Sequence, residues 1–254
     1  MDDVEIGRRR EFLKDTIRKR VDFQRTDQSQ GVPPPPVEKP VPEGAQLVPL
    51  PSRGQWQGLA AVALETAIAR RRSRREYSDG KVRLDELSFL LWAAQGVTRT
   101  LGPGHALRTV PSAGCRHALE TYLAVLRVNG LEPGLYRFLP LEHALWLERA
   151  DPELGGKLMA ACFAQRFVGA AAVTFVWTAV PYRMEWRYGL ASHKVIALDA
   201  GHACQNLYLA CEAVDCATCA VAAYDQEAMD ELLGVDGEDE LTVYLAPVGK
   251  RAAR

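Results

Sequence analysis

Apolar positions recur along this chain with two periods, and the alternation between them predicts its elements. Leu87, Leu90, Leu91 and Ala94 stand at i, i+3, i+4 and i+7, the stripe of a helix packed on one face, and predict a helix over residues 84–95. Asp85 and Glu86 fall in its first turn, where the helix dipole favours acids, and Gly96 stands where a C-cap glycine would. Leu59, Val62, Ala63 and Thr66 predict an earlier helix over 57–70. Asp151 caps a third helix with Leu154, Leu158 and Cys162 inward. The longest helix is expected over 198–214, with Asp199, Gly201, His202, Gln205 and Asn206 near its start, and a short one over 226–233. Strands are expected over 121–128, 135–138, 144–148, 171–177, 218–223 and 241–248. Asn129-Gly130 and Pro133-Gly134 are turn signals. They join the first three strands as an antiparallel meander. Residues 182–192 form a polar, aromatic stretch. Helices and mainly antiparallel strands without regular alternation define an α+β fold.

The N-terminal fifth of the chain breaks both periods. Residues 1–32 are polar, with one amphipathic patch at Phe12, Leu13 and Ile17. Pro33, Pro34, Pro35, Pro36, Pro40, Pro42, Pro49 and Pro51 follow. Such density excludes helix and sheet and favours extended polyproline II. Residues 1–50 therefore read as a polar leader and extended arm laid over a surface, and 51–254 as the folded domain. A ligand for a proline-recognising module is the other use of such an arm.

Composition narrows the class. The 254 residues are 48% apolar and 25% charged, with a formal net charge of −1. This is an ordinary globular balance that gives no reason to expect nucleic-acid binding. The first residues contain no apolar signal region and no apolar run is long enough for a bilayer, so a cytoplasmic protein is expected. Of six cysteines, Cys216 and Cys219 form a C-x-x-C. It follows a helix and enters a strand, the reverse of the redox arrangement.

Candidate chemistry is concentrated in three places. Arg71-Arg72-Ser73-Arg74-Arg75 packs four arginines and a serine into five positions. Arginine forks match phosphate oxygens, and a solvated helix face gives the same string. Leu101-Gly102-Pro103-Gly104 is followed by Arg108 and by Pro111-Ser112-Ala113-Gly114-Cys115-Arg116-His117. These small residues suit close backbone approach to a ligand, or a plain surface turn. No G-x-G-x-x-G opens a helix after a strand and no G-x-x-x-x-G-K-[ST] is present, which argues against Rossmann and P-loop sites.

Seven segments, in order, resemble one family: RRSRREYS, LSFLLWAAQGVT, RTVPSAGCRHALETYL, PGLYRF, LDAGHACQNLYLA, AVAAYDQEAM through ELLGVD, and PVGK. From about Leu47 onward the chain resembles the nitroreductase superfamily, and within it the SagB-type dehydrogenases, which include azoline oxidases of modified peptides. The resemblance implies a mainly antiparallel sheet flanked by helices and a homodimer with FMN at two interface sites. It implies a small-molecule or peptide substrate, with NAD(P)H as a possible electron donor. It assigns Arg71, Ser73 and Arg75, with Arg72 beside them, to the FMN phosphate and ring edge. Pro111, Ser112, Ala113, Gly114 and Arg116 would reach the flavin from the other subunit. The backbone of Ala222 and Ala223 would face the ring near N5. Lys250 and Arg251, or Arg254 in their place, would form a second cationic clamp, leaving Arg74 as the solvated member of the run.

Two positions depart from the family pattern. SagB-type azoline dehydrogenases carry a proton-handling Lys-Tyr pair where this chain has Arg187-Tyr188. Arginine stays protonated and cannot act as a general base. Cys115 and His117 stand where nitroreductases have asparagine and glutamine. His202 and Gln205 either cap and tie neighbouring strands or border the flavin. His117 either lines the site or sits on an exposed loop. Trp186 and Tyr188 either stack on a ligand or pack. The expectation is an FMN-dependent oxidoreductase. The alternatives are a flavin-fold partner protein without catalysis and a dithiol protein using Cys216 and Cys219.

Overall fold

The structure, a computed structural model, describes residues 3–102 and 104–252. Pro103 and Arg254 lie outside them. The leader holds α1 (Asp3–Glu11) and two 3-10 turns, Thr16–Arg20 and Phe23–Arg25. β1 (Leu47–Pro49), α2 (Leu64–Arg70), α3 (Leu84–Gln95) and the hairpin β2 (Val97–Gly102) and β3 (His105–Arg108) follow. Then come β4 (Leu119–Val125), β5 (Gly134–Leu139), β6 (Ala144–Ala150), α4 (Leu154–Ala161), α5 (Arg166–Gly169), β7 (Val173–Ala179) and α6 (Tyr182–Tyr188). α7 (Ser192–Ala213), β8 (Cys216–Thr218), α8 (Gln226–Leu233) and β9 (Leu241–Lys250) complete the chain.

Seven strands form one sheet in the order β1-β6-β5-β4-β7-β9-β8, and every paired neighbour is antiparallel. The period-2 rule assigns its two faces. Leu119, Leu123, Tyr136, Phe138, Phe175, Trp177, Ala246 and Val248 join α3 and α7 in one core. Tyr122, Ala124, Leu135, Val176 and Leu245 point the other way, to Leu154 and Leu158 of α4 and Met229 and Leu233 of α8. Helices cover both faces, so the central strands are buried throughout. Each fully buried Leu or Phe contributes roughly 1.5–3 kcal/mol. This is the α+β architecture expected from the sequence, including the 84–95 and 226–233 helices and the β4-β5-β6 meander.

Several elements differ from expectation, among them the strand expected over 218–223, which is β8 at Cys216–Thr218 with only an isolated bridge at Val221 after it. The helix expected over 57–70 begins at Leu64. Gly58 has φ +66°, and among its helical residues only Ala67 is buried. α7 starts at Ser192, six residues early, because α6 and a 3-10 turn, Gly189–Ala191, fold the aromatic stretch against it. Pro49 closes β1 although proline was expected to exclude sheet. β1 is an edge strand, where a missing N–H is tolerated.

The extended segment after the leader is bound by its carbonyls. Proline has no N–H, so a proline run offers acceptors and few donors. Buried arginines of the core supply the donors. Arg108 Nη2 donates to Val37 O (2.7 Å), Arg116 Nη2 to Pro35 O (3.3 Å), and Arg137 Nη1 and Nη2 to Lys39 O and Pro40 O (2.9 and 2.8 Å). Glu120, 2% exposed, pairs with Arg183, lies 3.9 Å from Arg137 Nη1 and accepts the Lys39 amide (2.8 Å).

Candidate functional site

The arginine run is extended, with Ser73 opposite Thr218 of β8 and Tyr77 opposite Arg251. Gly249 permits this approach, because a Cβ there would meet the Tyr77 ring at 2.7 Å. Tyr208 of α7, 8% exposed, is the anchor. Its Oη lies 2.9 Å from Ser73 Oγ and accepts the Ala220 amide at 2.7 Å, while the Arg71 guanidinium stacks on its ring at 5.2 Å. Arg75 stacks on Phe167 at 5.5 Å. Gln165, two residues before that phenylalanine, donates to Ala223 O (2.8 Å). One side of the molecule thus gathers Arg71, Ser73, Arg75, Ala222 and Ala223. Neither Arg71 nor Arg75 has a carboxylate partner among the described residues, and Ala222 and Ala223 are exposed.

The other cations expected here are committed to the fold. Arg72 turns back on α2, donating to Ala69 O and Arg71 O. Arg74, expected to be solvated, is half-buried, 3.4 Å from Glu212 Oε1, and donates to Arg70 O. Lys250 Nζ is held by Glu86 (2.7 Å) and Val214 O (2.8 Å), and Arg251 by Glu212 (2.7 Å) and Asp215 (3.5 Å). The buried carboxylates Glu86 and Glu212 thus face Lys250, Arg74 and Arg251, whereas Arg72 meets only backbone carbonyls. Lys250 and Arg251, expected as a phosphate clamp, are thus each held by ion pairs within the chain.

Pro111, Ser112, Ala113 and Gly114 lie beside the earlier part of α7. Gly114 has φ +59°, and a Cβ there would meet Tyr188 Oη at 2.6 Å and Arg187 Nε at 2.8 Å, so glycine is what lets this loop touch the Arg187–Tyr188 pair. Arg187 and Tyr188 are half-buried at the end of α6. Burial raises the carboxyl of Asp199 above the usual range, while the Ser112 hydroxyl, His202 and the Ala113 amide draw it back. Asp199 is therefore the buried acid beneath the loop.

Arg116, expected to reach the flavin, is fully buried, donates to Arg183 O, Gly104 O and Pro35 O, and lies over the Trp186 ring at 4.6 Å. His117 neither lines a site nor sits exposed. It is 4% exposed, its Nε2–H donates to Ala106 O, and burial beside Arg108 pushes it down to about 3. Trp186 packs, donating to Val32 O (2.9 Å). His202 and Gln205 are on the outer face of α7, in its third and fourth turns, and cap nothing. Burial pushes Cys216 up to about 12, away from a reactive thiolate, and Cys219 is buried.

The two groups are separated along α7. Asp199 and Tyr208 are nine residues apart, about 13 Å at ~1.5 Å per residue. Tyr208 and Phe167 escaped the sequence reasoning, since a lone aromatic in a helix or loop carries no spacing signal.

Comparison with known proteins places the fold and the sequence in one family. The nitroreductase family model matches residues 68–250. A Methanocaldococcus jannaschii protein assigned to the nitroreductases is 33% identical over 197 residues, 78% of this chain and 96% of that one. A nitroreductase-type crystal structure from Ralstonia eutropha JMP134 superposes with a TM-score of 0.68 at 29% identity, over 87% of this chain and 100% of that one. A Desulfovibrio desulfuricans structure in complex with FMN shares the fold, with a TM-score of 0.52 at 17% identity over 77% and 92% of the two chains. The chain belongs to the nitroreductase family.

Proposed function

We propose that two copies of this chain form a homodimer binding FMN between the phosphate side of one copy and the Pro111–Gly114 loop of the other. Membership of the nitroreductase family makes the chain an FMN-dependent oxidoreductase. The observation that carries the interface reading is the split along α7: the two groups do not meet within one copy. The exposed face of α7 supports a two-fold contact. Ala197, Leu198, Gly201 and Gln205 lie along it, and Leu198 is 53% exposed. Beside it, Leu64, Phe89, Trp92 and Leu209 line an apolar cavity of about 440 Å³.

The residues present fit FMN. Arg71 and Arg75 have uncommitted charge for its phosphate. Ser73 is held by Tyr208, and the exposed backbone of Ala222 and Ala223 admits a flat ring. When bound, FMN supplies reversible two-electron transfer at N5. Of the α6 pair, Tyr188 Oη can move a proton, whereas Arg187 holds developing negative charge. We place the chain near the SagB-type dehydrogenases on its motifs, with NAD(P)H as donor and a small molecule or modified peptide as substrate. The Arg187 substitution separates it from azoline oxidases that use Lys-Tyr. Six free cysteines suit a cytoplasmic setting. No helix of the described residues is long and apolar enough to cross a membrane.

The test is FMN retention and mass. The purified chain reconstituted with FMN should be a yellow dimer with one FMN per subunit, bleached by NAD(P)H. Ser73→Ala and Arg75→Ala should each weaken FMN binding ~10–100-fold, since a hydrogen bond to a charged group is worth roughly 1.5–3 kcal/mol. A colourless monomer, or full retention in both variants, refutes the assignment.

A further inference from the structure

α6 is only seven residues long, and a helix so short has little stability of its own. Its position, and that of Arg187 and Tyr188, depends on what holds it. The leader and arm hold it. Tyr182 Oη donates to Asp27 Oδ2 (2.6 Å). The Gln28 amide donates to Trp186 O (2.9 Å), a carbonyl in the last turn that the helix leaves without a partner. Trp186 Nε1 donates to Val32 O (2.9 Å). Arg116 then ties both together: its plane covers the Trp186 ring at 4.6 Å, Nε donates to Arg183 O (3.1 Å), and Nη2 donates to Pro35 O (3.3 Å). First turn, last turn and buried face of α6 are each joined to residues 27–35, directly or through one guanidinium.

We propose that residues 27–35, with Arg116, are positioning residues of the reaction site, holding α6 so that Arg187 and Tyr188 meet the Pro111–Gly114 loop. The proposal rests on the reading that this pair serves an FMN site. The arm has two ends with separable roles. Residues 27–35 grip α6. The Lys39 side chain grips the sheet, its Nζ paired with Glu240 and 3.1 Å from Tyr122 Oη, while its backbone amide, which a side-chain substitution keeps, reaches Arg183 of α6 through Glu120. Loosening the first end displaces the site, and loosening the second costs only stability.

The experiment uses full-length, FMN-loaded protein. Gln28→Pro deletes the backbone N–H that caps α6, and Gln28→Ala keeps it. Trp186→Phe deletes the bond to Val32 O and keeps a ring beneath Arg116. Lys39→Met loosens the far end. Readouts are FMN per subunit, thermal midpoint, deuterium uptake across 182–188, and kcat and KM for NADPH-driven reduction of menadione. Gln28→Pro and Trp186→Phe should lower kcat about tenfold or more, as misplaced catalytic groups do. Their α6 should exchange faster, with FMN content unchanged. Gln28→Ala should match the unmodified chain, and Lys39→Met should lose thermal midpoint while keeping kcat. Equal kcat and equal uptake in Gln28→Pro and Gln28→Ala overturn the proposal. So does a loss of kcat in Lys39→Met as large as in the α6-side variants. An unmodified chain that takes up no FMN overturns the cofactor reading itself, and this proposal with it.

Discussion

Tyr208→Phe tests the candidate site at the residue that joins its parts. The Tyr208 hydroxyl is the shared partner of Ser73 Oγ (2.9 Å) and the Ala220 amide (2.7 Å), so it fixes the arginine run against the segment leading to Ala222. Phenylalanine keeps the ring on which Arg71 stacks, and the substitution isolates the hydroxyl. Two hydrogen bonds at about 1 kcal/mol each come to ~2 kcal/mol, before any cost of leaving the Ala220 N–H unpaired. For a chain of this size that is a fall of roughly 4–8 °C in the thermal midpoint of the FMN-free protein. Ser73 keeps its own hydroxyl but loses its fixed position, and FMN affinity should fall about tenfold, equivalent to ~1.4 kcal/mol. Thermal unfolding without FMN and titration of flavin fluorescence quenching measure the two effects separately. A midpoint within about 1 °C of the unmodified chain, with an unchanged Kd, would show that the hydroxyl anchors neither segment.

Glu120→Gln leaves the buried guanidiniums of Arg183 and Arg137 short of their carboxylate and should cost about 3–5 kcal/mol, read as a lowered denaturant midpoint. Glu38 gives a pH dependence of known sign. Burial pushes its carboxyl up from 4.5 to about 8, against the Leu141 amide that donates to it and with Glu142 adding to the rise. The folded chain then binds this proton more tightly than the unfolded one, so its contribution is present below pH ~4.5 and is lost as pH rises through about 8. Glu38→Gln should flatten the fall in thermal midpoint across that window, and an unchanged slope would exclude Glu38 as its source.

The sheet and the helices on its faces were legible because their apolar positions repeat with periods that only strands and helices have. Leu87, Leu90, Leu91 and Ala94 are all fully buried, and α3 has the bounds that their spacing and Gly96 set. The helix expected over 57–70 shows where periodicity fails: a stripe of Leu59, Val62, Ala63 and Thr66 does not reveal a glycine at φ +66°. α6 was illegible for another reason. Its stability comes from residues 27–35 and from Arg116, well over a hundred and some seventy positions away, and no local pattern records such contacts.

The site residues divide along the same line. An arginine destined for phosphate and one destined for backbone carbonyls present the same planar fork of donors, and sequence spacing does not separate them. Arg116 occupies the family's loop motif yet spends its donors on Arg183, Gly104 and Pro35. The reason lies in the arm. A proline-rich segment buried against a core brings carbonyls that no strand can pair, because it returns few N–H groups to a ladder. Unmet, each buried carbonyl costs roughly 1–3 kcal/mol. A guanidinium can serve several carbonyls at once, and Arg108, Arg116 and Arg137 each reach the arm. The polyproline run and the buried arginines are thus two halves of one solution, and each explains the other's presence. Among the described residues Arg71 on Tyr208 and Arg75 on Phe167 carry neither a carboxylate nor an arm carbonyl, so their charge is available to an anion.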